Sequence, residues 1–252
     1  MGLSLLAYAE DRYFDAGGVN LHYIDQGEGD PVVLVHGFRV SAQLNWVQTG
    51  IMPMLVESGY RVIALDLRGH GQSERLYGRD EYGIEMVHDV GRLLDHLGIE
   101  KAHIVGYSLG ARIANKFREL SADRVISATL GGYGWGPLGF GNDGSPSYSQ
   151  PSEEEALEAL LSGGLDEDLA LAMAAFGSNI EVLQVAQESL SSNSTPTLIL
   201  VGDEDPRKPF AEAMLDFMPN LELRIIPGTH VSVIGQTLLK EQLLSFLREQ
   251  SR

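Results

Sequence analysis

The chain has no cysteine. Disulfides and thiolate metal sites are therefore excluded, and the redox compartment stays open. Long apolar runs are missing too: no stretch reaches the ~20 residues that a bilayer-spanning helix needs. The first nine residues carry Leu3, Leu5 and Leu6 but no basic start, and Glu10 and Asp11 follow at once. No signal peptide is expected from such a start, and a cytoplasmic location is the expectation that follows. Basic residues are scarce, 18 Lys and Arg against 35 Asp and Glu, for a formal net charge of −17. A chain so acidic is expected neither to bind nucleic acid nor to insert into a membrane. Internal repeats and low-complexity linkers are also lacking. Asn193-Ser194-Thr195 matches a glycosylation sequon, which has meaning only in a secreted chain.

What is present is a rhythm. The 252 residues are 44% hydrophobic and include 29 glycines, enough for a substantial core and many tight turns. Residues 12–15 and 19–25 read as two antiparallel strands joined through Gly17-Gly18. Residues 31–35 read as a buried strand, and residues 44–58 as a helix interrupted near Pro53 with Gly59 as its C-cap. Residues 61–65 follow as a strand. Ile84, Val87, Val90, Leu93, Leu94 and Leu97 recur at helical spacing, closed by Gly98. After a strand at 102–105 come a helix over 111–120 and a strand over 124–130. The stretch from Gly131 to Gln150 breaks the rhythm, and Ser152-Glu153-Glu154-Glu155 then starts a helical region through Leu190, broken at Gly163-Gly164. Strands at 197–201 and 221–226 alternate with helices at 209–218 and 236–247. Alternation of this kind calls for a mainly parallel, doubly wound sheet covered by helices on both faces. Residues 1–131 and 194–252 are expected to form that core. Residues 132–193 are expected to lie as a short helical cap over the carboxyl ends of the strands, where such sheets place ligands.

The chain is organised around Gly106-Tyr107-Ser108-Leu109-Gly110, set between an apolar strand and a helix. In that context G-x-S-x-G makes a nucleophile elbow: a strained turn exposes the serine hydroxyl, and a helix N-terminus faces it. A serine hydroxyl needs a base, and the base needs an orienting acid, in the chain order Ser, acid, His. Beyond residue 103 the sequence holds one histidine, His230, just after the strand at 221–226. His230 is therefore the expected base. The acid is open among Asp203, Glu204 and Asp205, all at the end of one strand. A tetrahedral intermediate also needs backbone donors, expected from the amides of Leu109, at the start of the elbow helix, and Phe38, in the loop after residues 31–35.

These residues resemble the α/β-hydrolase superfamily. The resemblance covers nearly the whole chain and rests on five motifs in order: His36-Gly37-Phe38, residues 66–73, the elbow, Gly202-Asp203-Glu204-Asp205-Pro206, and the His230 loop. It implies the α/β-hydrolase fold and, from the position of the acid in the family's G-x-x-D turn, Asp205 with Asp203 as the alternative. It also implies that His36, His70 and Asp66 belong to structural turns. The serine at the elbow departs from the aspartate of haloalkane dehalogenases and epoxide hydrolases. The His36-Gly37-Phe38-Arg39 loop lacks the extra glycines of lipases and of carbon–carbon bond hydrolases.

The expected activity is hydrolysis of a carboxylic ester of a small or medium acyl group, through an acyl-enzyme on Ser108. No cofactor is required, and the other histidines are too scattered for a metal site. Tyr107, Tyr133, Trp135, Phe140 and Phe176 are candidates for an apolar acyl pocket, with packing of the cap as the competing use for each. The same triad would serve an amidase, lactonase, thioesterase or perhydrolase. A ligand-binding receptor on a hydrolase fold is the alternative from another class, and a membrane-active lipase is disfavoured by the charge. The expected partner is a small-molecule ester, bound by a monomer or homodimer.

Overall fold

In the computed structural model, residues 10–140 and 145–251 are described. The first-residue expectation about a signal peptide lies outside them. The chain opens with an antiparallel pair, β1 (Glu10–Asp15) and β2 (Asn20–Gln26). Then follow β3 (Pro31–Val35), α1 (Ile51–Glu57), β4 (Arg61–Leu65), α2 (Ile84–His96), β5 (Ala102–Tyr107), α3 (Leu109–Leu120) and β6 (Val125–Gly131). A short ribbon of β7 (Gly139–Phe140) and β8 (Pro146–Ser147) precedes α4 (Glu153–Ser162), α5 (Glu167–Gly177) and α6 (Gln187–Ser192). The chain closes with β9 (Thr197–Gly202), α7 (Lys208–Ala213), β10 (Leu221–Ile226) and α8 (Thr237–Gln250).

Eight strands form one sheet in the order β1-β2-β4-β3-β5-β6-β9-β10. All neighbours from β4 to β10 run parallel, and only β1 and β2 run against their partners. This is the α/β-hydrolase fold. The strands are nearly continuous apolar runs because both faces are covered. Along β3, Val33 and Val35 enter one core with α2 and α3, while Val32 and Leu34 enter the other with α1 and α8. Successive side chains of a strand point to opposite faces, so one pentapeptide feeds both layers.

The chain leaves β3 toward β4 and returns to β5 on the other side of β3. The loops after β3 and β5 thus diverge at one point, and a crevice opens between them at the carboxyl ends of the strands. Ser108, Gly37 and Phe38 line one cavity there.

The helix expected over 44–58 is two pieces. A wide turn of π type (Gln43–Val47) and α1 are separated at Gly50, whose φ of 79° is left-handed. Pro53 does not interrupt the helix. It is the third residue of α1, inside the first turn, where its missing N–H has no helical partner to lose. In the region over 152–193, Ser152 does form a capping box: its Oγ accepts from the Glu155 amide and the Glu155 carboxylate accepts from its own amide. Beyond the expected break after α4, the helices also stop between Ser178 and Ala186, apart from one short 3-10 turn (Glu181–Leu183). Phe176, Leu183, Val185 and Leu190 pack in the same core as Val33 and Val35.

Candidate active site

Ser108 follows β5 with φ 55° and ψ −108°, a conformation that L residues seldom adopt. The turn is allowed by its glycines. A methyl group on Gly106 would overlap the carbonyl of Gly110, and one on Gly110 would overlap the carbonyl of Val35. Close approach of β3, β5 and α3 therefore requires hydrogen at both positions. The amide of Ser108 donates to Gly131 O at 2.8 Å, tying the elbow to the end of β6.

His230 lies in the loop after β10, 3.0 Å from Ser108 Oγ through Nε2 and 2.6 Å from Asp205 Oδ2 through Nδ1. A carboxylate only accepts, so Nδ1 carries the proton and Nε2 is the acceptor facing the serine hydroxyl. Asp205, buried after β9, also accepts from the Arg207 amide at 2.9 Å. Burial pushes its carboxyl up, but the hydrogen bond from His230, with the charges of His230 and Arg207 and the amide, brings it below the ordinary value. Asp203 is occupied elsewhere: its Oδ1 accepts from the Gly228 amide at 2.6 Å and so shapes the loop that carries His230. Ser108, His230 and Asp205 thus stand in one hydrogen-bonded line.

Two backbone amides lie near Ser108, that of Leu109, next in the chain, and that of Phe38, which lines the same cavity as Ser108. Leu109 is the first residue of α3, where helix geometry supplies its N–H with no partner. Phe38 follows Gly37, where an added Cβ would lie 3.4 Å from the Tyr107 carbonyl oxygen and 3.5 Å from Ser108 Cβ. Neither amide donates to a protein acceptor among the described residues. The loop is held by Asn45, whose Oδ1 accepts from the Gly37 amide at 2.8 Å, and by His36. His36 Nδ1–H donates to Gly37 O at 2.6 Å and its Nε2 accepts from the Leu67 amide at 3.0 Å. Burial lowers the His36 pKa to about 4, so the ring is neutral and serves as a brace between β3 and β4. Asp66 is likewise structural, accepting from the amides of Ala42 and Gln72 and from His22.

A cavity of about 180 Å³ opens beside Ser108. Phe38, Val40, Leu44, Thr49, Val231 and Ile234 line it together with Tyr107. Of the aromatics expected there, Tyr107 lies in the wall, and its hydroxyl donates to His230 O at 2.6 Å. Burial raises the Tyr107 phenol pKa and keeps that donor protonated. Tyr133, Trp135 and Phe176 do not line this cavity. Tyr133 is buried and accepts from Asn115, and Trp135 Nε1 donates to Val185 O at 2.7 Å while its ring packs on Phe217. Phe176 stacks on Phe38 with ring centres 4.6 Å apart, backing the loop from behind. The Phe140 side chain lies outside what is described. Asn45 and the aliphatic wall carried no motif. Only their positions after β3 and in the His230 loop pointed to them.

Among the described residues, no group of three acidic, histidine or cysteine side chains is arranged to hold a metal. No single described helix is long and apolar enough to cross a membrane.

The family model described as the alpha/beta hydrolase fold matches residues 30–133. Over 57% of its length the chain is 35% identical to a dihydrolipoyllysine-residue acetyltransferase component of an acetoin cleaving system from Cupriavidus necator, covering 36% of that protein. Over 58% it is 37% identical to epoxide hydrolase B of Mycobacterium tuberculosis, covering 42% of it. The chain thus spans less than half the length of these two relatives. It is 28% identical to a non-heme haloperoxidase of Rhodococcus erythropolis, over 91% of this chain and 96% of that one. In structure it is similar to a thermophilic esterase from Thermogutta terrifontis, with a TM-score of 0.77, 22% identity and coverage of 97% and 100% of the two chains. A 2-hydroxy-6-oxo-6-phenylhexa-2,4-dienoate hydrolase from a Rhodococcus strain matches with a TM-score of 0.77 at 21% identity, covering 95% and 99%. At these identities the structural likeness speaks for the fold alone.

Proposed function

We propose that the chain is a serine hydrolase of the α/β-hydrolase superfamily, cleaving carboxylic esters of small or medium acyl groups. The observation that carries this reading is the unbroken line from Asp205 through His230 to Ser108, at 2.6 and 3.0 Å, beside two unused amides. His230 Nε2 takes the Ser108 proton as Oγ attacks the ester carbonyl, and Asp205 stabilises the imidazolium that forms. The oxyanion is held by the amides of Phe38 and Leu109. Collapse expels the alcohol, protonated by His230, and leaves the acyl group on Ser108. A water activated by His230 then releases the acid. The cavity of about 180 Å³ beside the serine is below the ~300 Å³ at which drug-sized pockets begin, and so favours short groups. Residues 132–193 serve as the cap, and Asp203 is not the acid because its carboxylate holds the Gly228 amide.

Hydrolysis of a p-nitrophenyl ester series from acetate to palmitate, by wild type and Ser108→Ala, tests the proposal. Short esters should turn over, and kcat should fall by roughly 10⁴ to 10⁶ in the variant. Full activity in the variant would remove Ser108 from the mechanism.

A second reading is favoured by the similarity to the haloperoxidase over nearly its whole length. Hydrogen peroxide in place of water would release the acyl group of Ser108 as a peracid. Bromination of a diketone that requires both peroxide and a carboxylic acid would establish it. Its absence leaves hydrolysis alone.

A further inference from the structure

A second and larger cavity, about 300 Å³, lies on the other side of the loop that carries Phe38. The turn after β4 contributes His70, α5 contributes Leu169 and Met173, and Arg39, Val40 and Arg75 complete the wall. It adjoins the first cavity closely. Val40 lines both, and the Phe38 ring in the first wall meets the His70 ring of the second edge-on at 5.8 Å. Arg39 has a φ of 61°, an uncommon backbone for a side chain of its size, in the loop between the two spaces.

Two arginines, Arg39 and Arg75, line this second cavity. Arg61, Arg68, Arg92, Arg124 and Arg224 all meet a carboxylate. Arg39 and Arg75 meet none among the described residues, a condition shared with Arg79, Arg112, Arg118 and Arg248, but only Arg39 and Arg75 line one cavity together. Both side chains are exposed, and two like charges lining one concavity attract an anion whose carboxylate can meet both. His70 adds a third feature. Its Nδ1–H donates to Arg68 O at 3.1 Å, and its buried Nε2 has no partner among the described residues. That nitrogen is an acceptor able to take a hydroxyl or a water beside the anion.

We propose that this cavity is a subsite for a free carboxylate on the ester cleaved at Ser108, bound by the guanidiniums of Arg39 and Arg75. The inference rests on the esterase reading and narrows it from neutral esters to esters of negative charge. Guanidinium and carboxylate form charge-assisted, paired hydrogen bonds, so the subsite selects a planar anion over an apolar tail. The carboxylate enters on either the acyl or the alcohol side of the ester, and the substrates separate the two.

The experiment compares two series of varied chain length, each with its uncharged methyl-ester counterpart. One series is mono-p-nitrophenyl esters of dicarboxylic acids, and the other is acetyl esters of hydroxy acids. Wild type should prefer the charged member of one series by about tenfold or more in kcat/KM at a best length. That preference, as a ratio of charged to uncharged substrate, should fall about tenfold in Arg75→Gln and in Arg39→Gln. The uncharged ester reports separately on Ser108. Uncharged turnover that Ser108→Ala abolishes, with no charge preference at any length in either series, overturns the subsite and spares the esterase reading. If neither ester type is hydrolysed, calorimetric titration of wild type and Arg75→Gln with glutarate and adipate decides. Binding weakened about tenfold in the variant upholds the subsite, and no binding, or equal binding, overturns it.

Discussion

At residue 132 a single hydrogen separates the backbone from His230. A Cβ there would lie 2.6 Å from His230 Cε1 and 2.9 Å from Nδ1, on a backbone with φ 57°. Gly132→Ala should therefore push the imidazole off both Asp205 and Ser108, and a displacement near 1 Å costs about 10²-fold in rate. Ester hydrolysis by the variant, with a melt to show that it folds, checks this; an unchanged kcat would mean that the ring sits elsewhere. The sequence marked this position only as part of the stretch from Gly131 to Gln150 that breaks the rhythm. Ser108 and His230 were legible because one carries a motif between strand and helix and the other has no competing histidine downstream. The acid was not legible from the residues alone, since Asp203, Glu204 and Asp205 share one strand end. Their difference is which carboxylate turns toward His230 and which toward the Gly228 amide, a matter of loop geometry. Tyr133, Trp135 and Phe176 were misplaced for a related reason. Their composition suggested a pocket, but burial of large rings stabilises the core, and the wall fell to Phe38, Tyr107 and aliphatic side chains from distant segments.

At the scale of elements, β3, β4 and β10 have the bounds that their apolar runs between turn signals imply. The helix over 44–58 was misjudged because proline was weighed without its position. A proline in the first turn is harmless, whereas a left-handed glycine ends a helix outright. The helices over 152–193 are alike in their sequence periodicity but not in their burial. α4 buries no residue completely, while α5 buries six, including Phe176 against Phe38, His70 and Tyr82. Phe176→Ala should cost about 3–5 kcal/mol of stability, as a large ring lost from a packed core does. Leu161→Ala, on the exposed side of α4, should stay within about 0.5 kcal/mol. Urea midpoints of the two variants test this, and equal losses would show α5 to be a detachable cover rather than part of the core.

For the whole molecule, pH acts through buried histidines whose signs oppose. His103 lies on β5 in the middle of the sheet, its Nδ1 2.8 Å from Ser127 Oγ and its Nε2 3.1 Å from Ser251 Oγ. Burial lowers its pKa from 6.5 to about 4, and His36 behaves alike. Between those values the unfolded chain takes up a proton that the folded chain refuses, so stability falls as pH drops through 6.5 and stops falling below about 4. Each such histidine removes at most about 3 kcal/mol. His22 works the other way. Burial would lower its pKa, yet Asp66 and Asp11 raise it above 6.5, so its contribution is present below the ordinary value and is lost as pH rises through the raised one. The net charge of −17 adds a broad term, because self-repulsion eases as carboxylates protonate. These terms are common to wild type and His103→Gln, an amide that keeps hydrogen-bonding capacity without titrating. The difference between the two proteins therefore isolates one group. Urea unfolding at pH 7.5, 5.5 and 4.5 should show wild type losing stability relative to the variant on acidification, with a slope difference approaching one proton between pH 6 and 4.5. Parallel lines would mean that His103 is protonated in the folded protein, with Ser127 and Ser251 accepting from both ring nitrogens.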